Sequence, residues 1–237
     1  NIKKEDPKWE DRDRFILSKG HAGIAYAPVL CDFGYNDPEQ LKTFNLTNSK
    51  MGIHLDSNKV AGVDASTGSL GHGIPIAAGT AIAARVLGKD YYTYVVTGDG
   101  ELDEGSNWEG LMTIRHYNLT NCITIVDRNH CMIDGNTEDV MKLEPLADKF
   151  VAFGFHTIVC EGNNIVSLCK AIDEAHKTKD KPTVIVADTI KGVGIKLTSG
   201  NYKWHYGAID EEMAKVAAKD LDEYSAERIA RCGKEFE

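Results

Sequence analysis

The residues whose types and spacing point most directly to chemistry are an aspartate between two glycines, Gly98-Asp99-Gly100, and a later asparagine, Asn129. Each polar residue follows an apolar, β-rich run, and consecutive strands of this kind end at the same edge of a parallel sheet. Carboxylate and amide oxygens are hard donors that suit Mg²⁺ or Ca²⁺. The pattern therefore predicts a divalent cation site at the carboxyl edge of a sheet.

The two glycines predict that a diphosphate approaches the same turn. Without a Cβ, Gly98 and Gly100 let the backbone come close to an anion. Asp99 alone would repel a diphosphate, because two like charges about 4 Å apart cost roughly 4 kcal/mol at an effective dielectric constant of 20. A bridging cation reverses that sign, so the pattern favours metal-bridged diphosphate binding over a tight turn that binds no ligand. The dinucleotide pattern G-x-G-x-x-G does not occur in the sequence, which weighs against a nicotinamide-dependent dehydrogenase.

The elements that must position these residues alternate between strands and helices. The long segment 35–72 is rich in Gly, Asn, Ser and Thr and predicts a loop region, which at this length is usually functional. A strand–helix–strand unit predicts parallel strands, and the whole pattern predicts an α/β fold: a three-layer, open, mostly parallel sheet flanked by helices. Strands are predicted at 91–97, 122–127, 156–160 and 183–188, and helices at 22–34, 73–87, 106–117 (capped by Ser106), 165–178 and 210–231.

Composition excludes several classes of function. The 237 residues are 42% hydrophobic and 27% charged, and the net charge of -9 argues against nucleic acid, which requires a basic footprint. No apolar run approaches the roughly 18 residues of a membrane helix. The six cysteines form no C-x-x-C pair, so they indicate free thiols in a reducing, cytoplasmic setting and neither a zinc nor a redox motif. The chain starts at Asn1 and not at Met, which leaves open that the N-terminal segment 1–20 is trimmed.

Several blocks in combination resemble the transketolases. GDGELDEG with the later VDRNHCMIDG looks like their thiamine-diphosphate motif, and further matching blocks lie at 11–22 (DRDRFILSKGHA), 62–73 (GVDASTGSLGHG), 137–156 and 203–208 (KWHYGA). The likeness covers nearly the whole chain and is greatest to the N-terminal subunit of split transketolases. It implies thiamine diphosphate, Mg²⁺ with Ca²⁺ or Mn²⁺ as substitutes, and transfer of a two-carbon ketol unit from a ketose phosphate to an aldose phosphate.

The resemblance implies roles for individual residues. Asp99, Asn129 and the backbone carbonyl of Cys131 match the metal ligands of the family. Glu104 matches a carboxylate in a network between subunits, whereas the alternative for Glu104 and Glu101 is a solvated helix N-terminus. The residues that match cofactor contacts are His21, Gly68, Leu70, Gly98, Asp99, Gly100, Glu104, Asn129 and His205.

Three histidines, His21, His54 and His205, match active-site histidines of the family. Imidazoles suit this task because they donate to sugar hydroxyls and move protons near neutral pH. Around His54 this chain has Ile-His-Leu where the family usually has Gly-His-Pro, and His72 stands in place of a common glutamine, so its role stays open. The other histidines are interpreted as structural, apart from His130, which is left undecided; the structural ones are His116, His156 and His176.

The resemblance also implies a second polypeptide. The family activates thiamine with a glutamate on a pyrimidine-binding domain, and nothing after residue 208 resembles that domain or the C-terminal domain. We therefore expect one diphosphate-binding domain over 1–237, with a C-terminal helical extension at 209–237, and a separate C-terminal transketolase subunit that completes a heterotetramer. Two alternatives stay open: a split transketolase for an unusual sugar, either a sulfosugar or a branched pentulose, and a non-catalytic cofactor-binding subunit.

Overall fold

The fold is built on a five-stranded open sheet, seen in a computed structural model that describes residues 1–232. All neighbouring strands in the described part of the chain run parallel, in the order β1-β2-β3-β5-β4. The predicted open parallel sheet is therefore confirmed. The strands are β1 (Arg14–Leu17), β2 (Thr93–Gly98), β3 (Cys122–Arg128), β4 (His156–Glu161) and β5 (Thr183–Asp188).

Helices cover both faces of the sheet and make the three predicted layers. Asn164 is the N-cap of the amphipathic helix at 165–177. Its side-chain oxygen accepts hydrogen bonds from the N–H groups of Val166 and Ser167, which have no partner within the helix. The predicted helices are present with ends shifted by at most two residues. The helices are α1 (Gly23–Asp32), α2 (Gly73–Val86), α3 (Gly105–His116), α4 (Thr137–Val140), α5 (Leu146–Ala152), α6 (Ile165–Lys177) and α7 (Glu211–Cys232).

Alternation along the strands divides the core between the two faces. In β3, Val126 is buried against α2, α3 and α5, whereas Ile123 is buried on the face covered by α6. Because both faces are apolar, the central strands are nearly continuous hydrophobic runs, which is typical of a parallel sheet. The sequence predicts these strands for that reason.

Small residues let α2 and α3 pack closely on the first face. α2 buries four alanines, and Gly110 of α3 faces its first turn: a Cβ on Gly110 would come within 3.0 Å of Ile74 and Pro75. The close contact fixes the start of α3, and with it the turn between β2 and α3.

The long segment 35–72 forms a folded lobe against α1. A short 3₁₀ helix, Pro38–Thr43, interrupts it, and Met51 and Val60 are fully buried with Leu30 of α1. The lobe returns to the sheet through Asp64, which accepts two hydrogen bonds from Arg12. The loop predicted from composition is therefore ordered by its own apolar residues.

Two sequence-based expectations are wrong in detail. Strand β1 is absent from the predicted strands. Its four residues lie between charged side chains in the segment 1–20, which the sequence analysis treats as a terminal segment. Pairing with β2 makes these residues a strand. Ser106 is not the cap of α3: the N-cap is Glu104, without a side-chain capping bond, and the Ser106 hydroxyl donates to the Gly71 carbonyl. Residues 233–237 of the predicted C-terminal extension lie outside the described residues.

Among the helices of residues 1–232, none is both long and apolar enough to span a membrane.

Candidate active site

A cleft of about 800 Å³ opens at the carboxyl ends of β2, β3 and β5. Strand ends are where open parallel sheets place their ligands, because loops there diverge and leave space. Nine of the eleven site residues predicted from the sequence line this one cleft. They are His21, Gly68, Leu70, Gly98, Asp99, Gly100, Asn129, Cys131 and His205.

The other two predicted site residues, His54 and Glu104, lie outside the cleft wall. His54 is exposed, and its ring packs on the lining residue Gly68, where a Cβ would come within 2.7 Å of the imidazole. Glu104 is exposed at the start of α3, where the helix dipole stabilises a negatively charged side chain. His54 is thus a neighbour of the cleft, and Glu104 faces solvent beside it.

Asp99 is 1% exposed at the end of β2. Its Oδ1 accepts the Gly100 N–H at 2.8 Å, and its Oδ2 accepts Arg128 Nη1 at 3.0 Å and the His130 N–H at 2.7 Å. Burial raises the pKa of Asp99 above its ordinary value, although all three donors oppose the rise. The Gly100 N–H, which the sequence assigns to a diphosphate contact, here binds Asp99. Gly100 also has Met132 packed over it, 3.0 Å from the position of a Cβ.

The loop after β3 turns sharply to bring its backbone to Asp99. His130 has a φ of +62°, a left-handed conformation that is rare outside glycine, and this conformation allows its N–H to reach Oδ2. The Asn129 Oδ1 accepts the Cys131 N–H at 3.1 Å, and the Asn129 Nδ2 donates to Asp127 Oδ2 at 3.1 Å. The amide oxygen therefore keeps one free lone pair, in the cleft that Asp99 also lines.

This donor set fits a hard divalent cation. Asp99 Oδ1 and Asn129 Oδ1 each accept a single hydrogen bond, and Cys131, whose carbonyl is the third predicted ligand, lines the same cleft. The described residues hold no cluster of three or more His, Cys, Asp or Glu side chains arranged as a metal site. A cation here would need further oxygens from water and from a phosphate ligand, which is how Mg²⁺ is usually held.

The negative charge of a second carboxylate in the cleft, Asp127, is balanced by partners within the protein. It forms an ion pair with Lys19 and accepts hydrogen bonds from Thr189 and Asn129. Burial would raise the pKa of Asp127, but Lys19 and these donors hold it below its ordinary value. Asp127 therefore stays charged and orients the Asn129 amide.

We define the histidine cluster as His21, His205 and Lys191. The two imidazole rings lie 5.2 Å apart, and Lys191 Nζ is 3.3 Å from His205 Nδ1. Burial lowers the pKa of His205 to about 4, with added repulsion from Lys191 and His21, and burial also lowers the pKa values of His21 and Lys191. Both imidazoles are therefore neutral at pH 7, and His205, whose Nδ1 accepts from Lys191, keeps Nε2 as a donor.

Glu101 is not at a solvated helix end, which corrects its sequence interpretation. It is 3% exposed and accepts hydrogen bonds from Ser18, Gly71, Thr97 and Gly98. Four donors tie together three separate segments around one carboxylate, so Glu101 positions the loops that form the cleft.

The remaining histidines lie away from the cleft. His116 packs on Tyr117, His156 bonds Glu174, and His176 bonds Tyr94 at 2.6 Å, which agrees with their structural interpretation. His72 is exposed at the start of α2. The exposed imidazole of His130 bonds Asp188 at 2.7 Å, so its contribution to the cleft is its backbone.

Sequence reasoning missed four residues of the site: Lys19, Asp127, Arg128 and Lys191. Asp127 and Arg128 directly precede Asn129, so their position at the end of a buried strand was a usable signal. Lys19 lies in the block that contains His21. Lys191 gave no signal, because it stands alone in a Gly-rich segment far from the other residues in sequence.

Comparison with protein families finds a match over residues 1–226 to the family described as the transketolase, thiamine diphosphate binding domain. Among curated proteins, one of the subunits of the apulose-4-phosphate transketolase from Actinobacillus succinogenes is 40% identical, over 89% of this chain and 76% of that protein. The 6-deoxy-6-sulfo-D-fructose transketolase subunit SqwG of a Clostridium species is 37% identical, over 95% of this chain and 82% of that protein.

Comparison with solved structures also finds transketolases. The transketolase of Campylobacter jejuni superposes with a TM-score of 0.87 at 31% identity, and the match covers 92% of this chain. The chain spans 35% of that transketolase.

Proposed function

This chain belongs to the family of transketolase thiamine-diphosphate-binding domains, and we propose that it is the N-terminal subunit of a split transketolase. With a separate C-terminal subunit it transfers a two-carbon ketol unit from a ketose phosphate to an aldose phosphate. The observation that carries the proposal is a single cleft whose wall includes a buried carboxylate, an amide oxygen and two adjacent imidazoles.

Asp99, Asn129 and the Cys131 carbonyl are the proposed ligands of Mg²⁺, with Ca²⁺ or Mn²⁺ as substitutes. Their support is a hard-oxygen donor set with free lone pairs at the edge of the cleft. When bound, thiamine diphosphate supplies a thiazolium ring that stabilises a carbanion, chemistry that protein side chains do not provide. The chain's own task is to hold the diphosphate end, and half-buried Lys191 offers a positive charge for it.

We propose that His21 and His205 contact the reacting sugar. Because burial keeps both imidazoles neutral at pH 7, His21 can accept a proton from a hydroxyl at one nitrogen and donate at the other. At His205, Nδ1 accepts from the Lys191 ammonium, so Nε2 carries the hydrogen and donates to a sugar oxygen. His54 lies behind Gly68 and is proposed to act at the mouth of the cleft. Gly68, Leu70 and the other matching residues of the wall are proposed cofactor contacts.

A second subunit is proposed to close the cleft. Three large apolar side chains of the cleft wall, Ile24, Ile133 and Ile190, are each more than half exposed. An apolar rim around a polar site is typical of a surface that a partner covers. The two relatives described above match along most of their length and are named subunits, so we propose a partner with the pyrimidine-binding and C-terminal domains, and two copies of each chain.

The sugar is proposed to be an unusual one. The two relatives described above are named for apulose 4-phosphate and for 6-deoxy-6-sulfo-D-fructose, and both match at higher identity than the solved transketolase. The alternative donor is an ordinary ketose phosphate of carbohydrate metabolism, such as one of the pentose phosphates. Its rate of ketol transfer is therefore compared with the rates of the unusual sugars in the same assay.

We further propose that residues 1–237 form a single diphosphate-binding domain and that the protein is cytoplasmic. Apolar clusters on both faces of one sheet pack its helices, and a third cluster joins α1 to the lobe. The five cysteines with described side chains are free thiols, and three of them are buried, as suits a reducing compartment.

The test is reconstitution with a candidate partner that carries the pyrimidine-binding and C-terminal domains, sought first in the neighbouring reading frames. Ketol transfer from a panel of donors, including both named sugars, is measured with each chain alone and with the pair, with and without thiamine diphosphate and Mg²⁺. We expect transfer only with both chains and both cofactors. Transfer by this chain alone would contradict the split enzyme, and cofactor binding by the pair without any transfer would indicate a non-catalytic subunit.

A further inference from the structure

Arg128, the last residue of β3, is buried at 3% exposure among acids. Its Nη1 donates to Asp99 Oδ2 at 3.0 Å and to Thr137 Oγ1 at 2.6 Å; its Nη2 donates to Glu138 at 2.9 Å and to Glu144 at 2.8 Å. Nε completes the set with a bond to Glu144 at 3.2 Å. All five guanidinium N–H groups therefore have acceptors. We call these five residues the arginine cluster.

The acids around Arg128 are themselves fixed by backbone donors. Glu138 accepts the Leu143 N–H at 3.1 Å, and Glu144 accepts the Leu146 N–H at 2.7 Å. The guanidinium thus joins the end of β3 to the segment that follows it and cannot turn away from Asp99 without breaking several charge-assisted bonds.

The consequence for Asp99 follows from counting its acceptor sites. A carboxylate has about four lone-pair positions. At Asp99, Oδ2 uses two of them for Arg128 and the His130 N–H, and Oδ1 uses one for the Gly100 N–H. One position remains, and it is on Oδ1. Asp99 can therefore give a cation one oxygen, not two.

We propose that Arg128 is a positioning residue that restricts Asp99 to one-oxygen coordination and so favours Mg²⁺ over Ca²⁺ at the proposed cation site. Mg²⁺ requires near-octahedral geometry and is commonly held through single carboxylate oxygens, whereas Ca²⁺ takes six to eight oxygens and gains from a bidentate carboxylate. A fully occupied Oδ2 removes the bidentate option. This inference rests on the proposed function, because it assumes that Asp99 binds a metal.

The test measures metal preference, not turnover. The dissociation constants of Mg²⁺ and Ca²⁺ are measured by titration calorimetry in the presence of thiamine diphosphate, for the reconstituted pair with the wild-type chain and with Arg128→Met. Removing the guanidinium frees one lone pair on Oδ2 and one negative charge, so both metals should bind more tightly. Ca²⁺ should gain more, and the Mg²⁺-over-Ca²⁺ preference should fall by about tenfold, the size of one charge-assisted hydrogen bond.

A merely structural role predicts a different result. If Arg128 only stabilised the loop, its loss would weaken both metals alike and leave their ratio unchanged. Arg128→Lys, which keeps the charge but provides fewer bonds, should fall between wild type and Arg128→Met. Arg115→Met is the matched control, because Arg115 is a partly buried arginine whose Nη1 bonds Asn118, away from the cleft.

Folding is checked by circular dichroism. If Arg128→Met does not fold, the double variant Glu138→Gln and Glu144→Gln loosens the guanidinium while keeping it, and it should shift the ratio in the same direction by a smaller factor. An unchanged ratio in a folded variant overturns the inference and leaves the proposed function intact. Failure of the reconstituted pair to bind thiamine diphosphate with either metal overturns the proposed cation site, and this inference with it.

Discussion

The arginine cluster and the histidine cluster lie at the same edge of the sheet, but their charges are balanced differently. In the arginine cluster one guanidinium faces three carboxylates, and each of its N–H groups has an acceptor. In the histidine cluster, Lys191 has one hydrogen bond, to His205, and no carboxylate of the described residues forms an ion pair with it. One cluster is complete within the protein, whereas the lysine of the other is attracted by Asp127 and Asp99 only from beyond ion-pair distance.

The difference shows how to separate scaffold from ligand site within one cleft. A half-buried cation without a close ion pair costs desolvation free energy, and here burial lowers the pKa of Lys191 although Asp127 and Asp99 oppose the shift. Such a cost is offset when an anion binds. Fully partnered groups such as Arg128 instead gain their stabilisation in the empty protein. Asp99 is the link: Oδ2 belongs to the scaffold, and Oδ1 is available to the ligand.

The largest expected effect is at this link. Asp99→Ala should weaken metal-dependent binding of thiamine diphosphate by about 100-fold or more, because it removes the one side-chain carboxylate proposed for the cation. Calorimetric titration of thiamine diphosphate at saturating Mg²⁺ measures the change. Asp139→Ala, an exposed acid in α4, serves as the control and should bind as wild type does. Equal binding by Asp99→Ala and wild type would remove Asp99 from the site.

The next effect isolates the histidine cluster. Lys191→Met keeps the length of the side chain and removes its charge, so thiamine diphosphate should bind about tenfold more weakly while the free energy of unfolding stays constant or rises slightly. Urea unfolding and calorimetry on the same samples measure the two quantities. Lys196→Met, an exposed lysine paired with Asp220 and Glu223, should change neither by much. A large loss of stability in Lys191→Met would mean that this lysine is scaffold after all.

Much of this arrangement could be predicted from the sequence. The apolar runs before Asp99 and Asn129 predicted their strands, and parallel pairing then brought both to one edge without further information. Strand β1 could not be predicted in this way, since four residues carry too little periodicity and their pairing with β2 is a long-range choice.

The roles of Glu101 and Arg128 could not be predicted from the sequence, for a different reason. Both are charged residues beside a turn, where solvent exposure is the ordinary expectation. Their burial depends on donors from other parts of the chain, such as Ser18 for Glu101, and on acceptors such as Glu144 for Arg128. Side-chain periodicity does not encode these contacts.

A smaller effect tests whether the arginine cluster is structural in the empty protein. Thr137→Val removes the hydroxyl that accepts Arg128 Nη1 at 2.6 Å, so a buried N–H loses its partner and the protein should lose about 1 kcal/mol of stability. Urea unfolding at equal slope measures the change. Thr113→Val, where the hydroxyl bonds only the Glu109 carbonyl of its own helix, should cost less than about 0.5 kcal/mol. Equal losses in the two variants would contradict a saturated cluster.

The smallest effect is a pH dependence in the histidine cluster. Because the pKa of His205 falls from 6.5 to about 4 on folding, the unfolded chain binds more protons than the folded chain between these pH values. The contribution of His205 to the free energy of unfolding should therefore be absent above pH 6.5 and should become increasingly unfavourable as the pH falls towards 4. The comparison is wild type against His205→Gln, unfolded in urea at several pH values without added ligand. The variant should gain stability relative to wild type only on the acid side, and a difference that stays constant from pH 4 to 7 would mean that His205 titrates alike in both states.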